Sequence, residues 1–262
     1  MKNNCMTALS LFQQKSVLTA TVTPRCTVPL PSPAFGGFQG GCSDGKRYYY
    51  QTVMHYELSD RTKDYARIAK IDLSTGQVVQ WSRDLSLDHA NDMTYHPGTN
   101  RLIVCNNKPH PNRLTLLNAD TLEPTKTAEL PFAIYSIDYN PTRDLYAVGL
   151  SGTREFRLLG ADFKPLDDRV FRCTHLTDRH TKQGVCVDDN LIYFIMWDGK
   201  HKDMEDFQSV IAVYDWDGAF RGLIEFDVGK QEPENLSIVN GKILAVCGNE
   251  MPIIYQFDPT LP

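Results

Sequence analysis

The hexapeptide Gln39-Gly40-Gly41-Cys42-Ser43-Asp44 returns later in the chain as Gln183-Gly184-Val185-Cys186-Val187-Asp188. Each copy stands before a run of strand-forming residues, which are Tyr48-Tyr49-Tyr50 and Ile192-Tyr193-Phe194. A motif that recurs in front of equivalent strands indicates internal duplication. The sequence therefore predicts a repeat architecture.

Three weaker copies complete the series, and the positions equivalent to Gln39 are Asn91, Tyr135, Gln183 and Glu234. Neighbouring anchors lie 44 to 52 residues apart. A period of about 40 to 50 residues is typical of propellers and related arrays. After each anchor the pattern predicts short β-rich strands separated by Asp, Asn and Gly turns. Four antiparallel strands per unit form the blade of a β-propeller.

We predict an all-β, single-domain, five-bladed β-propeller over residues 1–262. The predicted blades cover residues 36–85, 86–130, 131–170, 171–228 and 229–262. The fifth blade has no fourth strand of its own, because the sequence stops soon after its third. We predict that residues 16–22 of the N-terminal arm, 1–35, supply this strand and close the ring, so that neither edge is left bare. The alternative is a disordered arm.

Composition limits the class of partner. The net charge of −5 and the pI near 5.8 argue against a general binder of nucleic acid or anionic membranes. No run of about 18 apolar residues and no secretory signal is evident. The seven cysteines include no C-x-x-C pair, which argues against a zinc site, and their odd number suggests reduced thiols. We expect a cytoplasmic monomer.

In a propeller, the first strands line a central channel and ligands bind at one mouth. The side chains at the starts of those strands are nearly all polar: Gln39, Asn91, Asp92, Tyr135, Gln183, Glu234 and Asn235. Such a ring can bind water, a cation or a polar ligand. The alternative is that these groups hydrogen-bond to neighbouring blades and to ordered channel water. We predict no cofactor, although the ring leaves room for a channel-bound cation.

The loops before and after these strands add groups that could take part in binding or catalysis. His89, His175 and His180 could act as a general base or a proton shuttle, or could each be satisfied by a backbone group. They lack the local spacing of a metal motif, so we predict no metal site. Trp197 could stack on a sugar or fill space between blades. Our catalytic candidates are Glu234, Asp92, His89 and His180, with Glu234 and Asp92 as a carboxylate pair.

One short motif resembles a known family. Phe38-Gln39-Gly40 resembles the F-T-Q-G motif that opens the first blade of plant-type glutaminyl cyclases, and the blade rhythm is similar to that of the cyclases and the NHL-like group. The resemblance implies a propeller fold and an amide-cyclising site with a Glu near the channel. Where the cyclases carry an acidic E-S-T-G type motif, this chain has Gln51-Thr52-Val53-Met54. Their catalytic residues are therefore not transferred to it.

Three functions fit this pattern. We predict a propeller that binds a small polar ligand, a glycan or a peptide end, at the mouth. One alternative is an enzyme at the same mouth, either glutaminyl-cyclase-like or a glycoside hydrolase or lyase. The other is a protein-interaction scaffold. A deep mouth with Glu234 and a His in reach favours the enzyme, an aromatic-lined shallow mouth favours the binder, and a filled mouth with an apolar rim favours the scaffold.

Overall fold

Strands dominate the structure, a computed structural model, and confirm the all-β prediction. The residues it describes are 8–57, 59–173, 180–205, 208–248 and 252–261, with Arg61 described by its backbone alone. In this part of the chain no helix is both long and apolar enough to cross a membrane.

The N-terminal segment begins with a short helix and continues as a long strand. Helix α1 covers Ala8–Phe12 and strand β1 covers Val17–Thr27. Leu11 and Leu18 face the core and are 4% and 0% exposed. These two apolar side chains anchor the segment. Most of the other side chains of β1 face solvent.

Three separate sheets follow, each with four strands in chain order. The first sheet contains β2 (Gly37–Ser43), β3 (Tyr48–His55), β4 (Tyr65–Asp72) and β5 (Gln77–Trp81). The second contains β6 (Asp92–His96), β7 (Arg101–Asn107), β8 (His110–Asn118) and β9 (Pro124–Glu129). The third contains β10 (Ile134–Asn140), β11 (Leu145–Leu150), β12 (Glu155–Gly160) and β13 (Phe171–Arg172). Strand β13 pairs with β12 and so lies just beyond the bound of 170 predicted for this unit.

The remaining seven strands form one sheet of eight together with β1. They are β14 (Thr181–Val187), β15 (Leu191–Trp197), β16 (Val210–Asp215), β17 (Phe220–Glu225), β18 (Ser237–Val239), β19 (Lys242–Cys247) and β20 (Ile253–Thr260). Their order is β14-β15-β16-β17-β1-β20-β19-β18. Strand β1 pairs with β20 in antiparallel fashion through residues 19–27, and with β17 in parallel through residues 17–19. Because β1 pairs along both of its edges, it joins strands β14–β17 and strands β18–β20 into a single sheet.

The first strands of the repeat surround a common axis. β2 contacts β6, β6 contacts β10, β10 contacts β14, β14 contacts β18, and β18 contacts β2. β6 also contacts β14, so the ring is narrow at this point. The repeated glycines make the close approach possible. A Cβ atom at Gly40 would lie 2.5 Å from the carbonyl carbon of Asp92, and one at Gly184 would lie 2.6 Å from the Cα of Asn235.

Candidate functional site

The predicted mouth residues lie at the starts of the first strands, as their repeat positions require. Gln39 and Gln183 are each 8% exposed, Tyr135 is 6% exposed and Glu234 is 3% exposed. Asn91 is half-buried. These polar side chains are therefore largely buried.

Hydrogen bonds link these strand starts around the axis. The backbone amide of Gly40 donates to the Ala90 carbonyl at 2.9 Å. The side-chain amide of Asn91 donates to the backbone carbonyl of Tyr135 at 2.8 Å. The Gln183 amide donates to a Glu232 carboxylate oxygen at 2.5 Å. The side-chain amide of Asn235 donates to the backbone carbonyl of Gln39 at 2.8 Å. Neighbouring units thus hold one another in register at the level of the mouth.

Asp92 lies inside this ring with no exposed surface. Its Oδ1 accepts from the Met93 amide at 2.9 Å, and its Oδ2 accepts from the Ile137 and Val185 amides at 3.1 and 3.2 Å. Burial raises the pKa of the carboxyl well above its usual value. One side chain thereby connects β6, β10 and β14. These contacts favour a structural role for Asp92 over the ligand-binding and catalytic roles that its position predicts.

Asn235 is also fully buried and tied to its surroundings. Its Oδ1 accepts from the Tyr49 hydroxyl at 2.5 Å, and its Nδ2 donates to the Gln51 Oε1 at 3.0 Å as well as to Gln39. Gln51 in turn donates to the Gln39 carbonyl at 2.7 Å. This network joins the segment before β18, in the eight-stranded sheet, to strands β2 and β3 of the first four-stranded sheet. The hydrogen bonds of Asn235 therefore favour a structural role for it, as those of Asp92 do.

Glu234 is a second buried acid among the predicted mouth residues. Burial raises its pKa well above the ordinary value, and the nearby negative charge of Glu232 raises it further. Glu232 itself is held by Gln183. Sequence reasoning paired Glu234 with Asp92, whereas the electrostatic neighbour in the structure is Glu232. The repeat did not reveal Glu232, because it lies in a loop two residues before the anchor.

Aromatic groups lie beside the amide of Gln39. The Gln39 Nε2 donates to the Tyr56 hydroxyl at 3.4 Å, and the Tyr56 ring stacks on His89 with centroids 6.2 Å apart. His89 therefore packs against an aromatic ring that also contacts Gln39. The contact between Tyr56 and Gln39 joins residues 17 positions apart in the sequence.

Tyr135 packs against a half-buried lysine that the repeat pattern did not identify. The Lys182 ammonium lies 4.4 Å from the Tyr135 ring centroid and donates to the carbonyls of Leu150, at 3.1 Å, and Thr153. Burial lowers the pKa of Lys182 to about 8. Apart from each other, the hydroxyls of Tyr135 and Ser136 have no hydrogen-bonding partner within the described ranges.

The other predicted groups lie farther from the axis. The His180 Nε2 is 3.2 Å from the Gln208 carbonyl oxygen, as expected for a loop histidine satisfied by the backbone. The Trp197 indole N–H is buried and has no hydrogen-bonding partner among the residues described. His175 lies outside the described residues. Across the described chain, no group of three or more His, Cys, Asp and Glu side chains could hold a metal ion.

The opposite end of the axis carries a cavity of about 520 Å³ lined mainly by turns between first and second strands. Asp138, at its base, accepts hydrogen bonds from the Thr94 hydroxyl at 2.6 Å and the Val187 amide at 2.8 Å. It thus ties the same three strands as Asp92, two residues farther along the repeat. Burial raises the pKa of Asp138 from 3.8 to about 6.

This shift predicts a pH-dependent stability. Because the folded state holds the proton more tightly than the unfolded state, the contribution of Asp138 is fully present below pH 3.8 and is lost as the pH rises through 6. The loss corresponds to about 3 kcal/mol of unfolding free energy. We therefore expect the free energy of unfolding of wild type, measured with urea, to fall by about this much relative to that of Asp138→Asn between pH 4 and 7. A difference that stays constant with pH would contradict the assignment.

Sheets that surround an axis through their first strands define a propeller-like all-β protein, and known structures share this fold. A glutaminyl cyclase from Myxococcus xanthus superposes with a TM-score of 0.63 at 10% identity, covering 94% of this chain and 99% of that one. A member of the DUF4221 family from Bacteroides vulgatus gives 0.56 at 10% identity, with coverage of 95% and 100%. A tail fibre of a Staphylococcus aureus phage gives 0.61 at 11% identity, with coverage of 91% and 53%.

At these identities the likeness establishes the fold alone. No sequence family and no curated protein matches the chain. The propeller-like expectation of the sequence is thus confirmed.

Proposed function

We propose that the chain is a five-bladed β-propeller that binds a small polar ligand, a glycan, at the mouth formed by Gln39, Asn91, Gln183 and Glu234. The cyclic contact of β2, β6, β10, β14 and β18 supports the blade count. In this count, β1 completes the fifth blade through its pairing with β20, and its short parallel pairing with β17 joins the fourth blade to the fifth.

The observation that carries the ligand class is the chemistry of the ring. The side-chain amides of Gln39 and Gln183 each carry an acceptor oxygen and a second N–H besides the one bonded to Tyr56 or Glu232. The Asn91 amide is bonded at both ends, to Tyr135 and Asn107, and has one further N–H. A protonated Glu234 carries both a donor and an acceptor. The raised pKa of Glu234 favours this neutral form. Sugar hydroxyls also donate and accept at one atom, so they match these side chains better than a fully charged ligand does. A peptide end is the other ligand that the sequence suggested, and the test below includes it.

An enzyme at the same mouth is the second candidate. It is favoured by one observation, which is the buried Glu234 with a raised pKa beside Glu232. Perturbed acids of this kind cluster at catalytic sites, and glycoside hydrolases use paired carboxyl groups. The fold shared with a glutaminyl cyclase adds cyclisation of an amino-terminal glutamine as a reaction to assay.

An array that carries hexose and N-acetylhexosamine oligomers of one to six units, together with peptides with free amino termini, tests the proposal. We expect a sugar to bind wild type, and Glu234→Ala and Gln183→Ala to weaken it at least about tenfold, since each removes a hydrogen-bonding side chain from an enclosed site. Glu234→Gln should retain binding, because the amide resembles the neutral acid. Gln77→Ala, on an exposed side chain of β5, is the matched control.

The outcomes separate the candidates. Binding of peptides alone would replace the glycan by a peptide end, and absence of all binding would refute the proposal. If Glu234→Gln binds the sugar or peptide but wild type alone converts it, as judged by mass spectrometry of the ligand, the protein is an enzyme.

A further inference from the structure

A basic cavity lies at the seam between the first four-stranded sheet and the eight-stranded sheet. Its volume is about 490 Å³, and four cationic side chains line it, those of Arg25, Lys46, Arg47 and Lys242. Among the described residues its lining includes no Asp or Glu. Because the whole chain carries a net charge of −5, this local concentration of positive charge favours an anionic ligand.

Hydrogen bonds across the seam fix the turn that carries two of these cations. The Asn240 backbone amide donates to the Gly45 carbonyl at 3.2 Å, and its side-chain amide donates to the Lys46 carbonyl at 3.3 Å. The Leu73 amide donates to the Arg47 carbonyl at 2.9 Å. Asn240 also lines the cavity at the end of the axis opposite to the mouth, so the basic cavity lies away from the proposed glycan site.

A β-bulge directs Arg25 to the cavity. Pro24 and Cys26 oppose the consecutive residues 255 and 254 of β20, so Arg25 is the extra residue of β1 at this point. Bulges bend a strand and change the direction of a side chain. A Cβ atom at Gly76 would lie 3.0 Å from the Cys26 Cβ, so the bulge packs closely against the turn that follows β4.

Two carboxylates beside the cavity offset part of its charge. The Arg47 Nε and Nη2 donate to the Asp72 Oδ2 at 2.9 and 2.7 Å, and the Lys242 Nζ donates to the Asp258 Oδ1 at 2.6 Å. The other two cations form no ion pair within the described ranges. Asp44 accepts from three backbone amides of its own turn and lines the axial cavity instead. Four cations and two carboxylates leave a formal charge of +2.

A ligand can reach all four cations. The side chains of Arg47 and Lys242 are 62% and 43% exposed, and Arg25 and Lys46 are exposed as well. Arg47 uses two of its five N–H donors on Asp72, and Lys242 uses one of its three on Asp258. Each of the paired cations therefore keeps donors for a further acceptor.

The cavity also has an apolar part. Val239 and Leu244, which are 7% and 4% exposed, contribute to its lining. A volume of about 490 Å³ lies within the range of small-molecule sites, which is about 300–1,000 Å³. The ligand that fits is therefore larger than a bare inorganic anion and has an organic portion.

We propose that the basic cavity binds a small organic molecule through a phosphate monoester group. Such a group carries a charge of about −1.5 to −2 at pH 7, which matches the residual charge of the site. The guanidinium groups of Arg25 and Arg47 suit the oxygens of a phosphate, and Lys46 adds a compact charge. Val239 and Leu244 contact the organic portion. This inference does not rest on the proposed function.

Calorimetric titration with phenyl phosphate, inorganic phosphate and benzoate at pH 7.5 and low salt, about 50 mM, tests the proposal. We expect phenyl phosphate to bind. Benzoate should bind at least about tenfold more weakly, because it has the same ring but only one charge. Inorganic phosphate should also bind more weakly, since it makes no apolar contact. Raising the salt to about 0.5 M should weaken phenyl phosphate through screening of the exposed cations.

Two substitutions locate the site. Arg25→Gln and Lys46→Gln should each weaken phenyl phosphate about tenfold, because each removes a charge-assisted hydrogen bond. Both side chains are exposed, so the melting temperature should stay that of wild type. Lys126→Gln, on an exposed side chain of β9 in the second sheet, is the matched control and should bind as wild type does.

Three results would overturn the proposal. The first is that phenyl phosphate does not bind at low salt, or binds no better than benzoate. The second is that Arg25→Gln and Lys46→Gln bind phenyl phosphate as tightly as wild type. The third is that a phosphoserine peptide binds while phenyl phosphate does not, which would replace the small molecule by a phosphorylated protein segment.

Discussion

Removal of residues 1–24 is expected to abolish cooperative folding. This segment contains α1 and most of β1, which pairs with β20 along eight residue positions and also borders β17. Its loss bares both strand edges and uncovers the core surface that Leu11 and Leu18 bury. The free energy of unfolding of a native domain is only about 5–15 kcal/mol. The loss of this strand pairing and of this apolar burial is expected to remove most of it.

A point substitution tests the same idea without shortening the chain. Leu18→Ala should lower the free energy of unfolding by about 2–5 kcal/mol, because Leu18 is fully buried and leaves a cavity. Thr21→Ala, at an exposed position of the same strand, should cost less than about 1 kcal/mol. Urea unfolding followed by circular dichroism measures both. If the truncated protein melts as wild type does, β1 is dispensable and does not close the ring.

Asp92→Ala is expected to be the most damaging single substitution at the axis. It leaves the amides of Met93, Ile137 and Val185 without their acceptor in a site with no exposed surface. Each unsatisfied buried group costs about 1–3 kcal/mol, so a loss of at least about 3 kcal/mol is expected. Thermal melting and urea unfolding should both reveal it.

Gln183→Ala provides the contrast within the same ring. It removes one side-chain bond to Glu232 and should change stability by no more than about 1–2 kcal/mol. If Asp92 is instead a ligand-binding residue, its removal should leave melting nearly unchanged. If both substitutions lower the free energy of unfolding by the same small amount, the structural role of Asp92 is contradicted and the ligand-binding role is favoured.

The repeat predicted that Gln39, Gln183 and Glu234 lie at equivalent positions of equivalent strands, and the structure has all three at or just before the first strands of their units. That they bind a ligand there stays a prediction. The repeat could not separate Asp92 and Asn235, which point into the ring and bind main chain. Nor could it identify Lys182 or Glu232. Both act through contacts between units, namely Lys182 with Leu150 and Glu232 with Gln183, which local sequence patterns do not encode.

Local turn and strand patterns were enough to predict the strand content and the period of the repeat. The sequence did not indicate that β1 pairs along both of its edges, with β17 and β20, to make one eight-stranded sheet. Nor did it indicate which atoms the glycines of the repeated Gln-Gly-x-Cys-x-Asp approach. The physical reason is that hydrogen-bond partners and burial at the axis depend on how separate units meet, over separations as large as 196 residues.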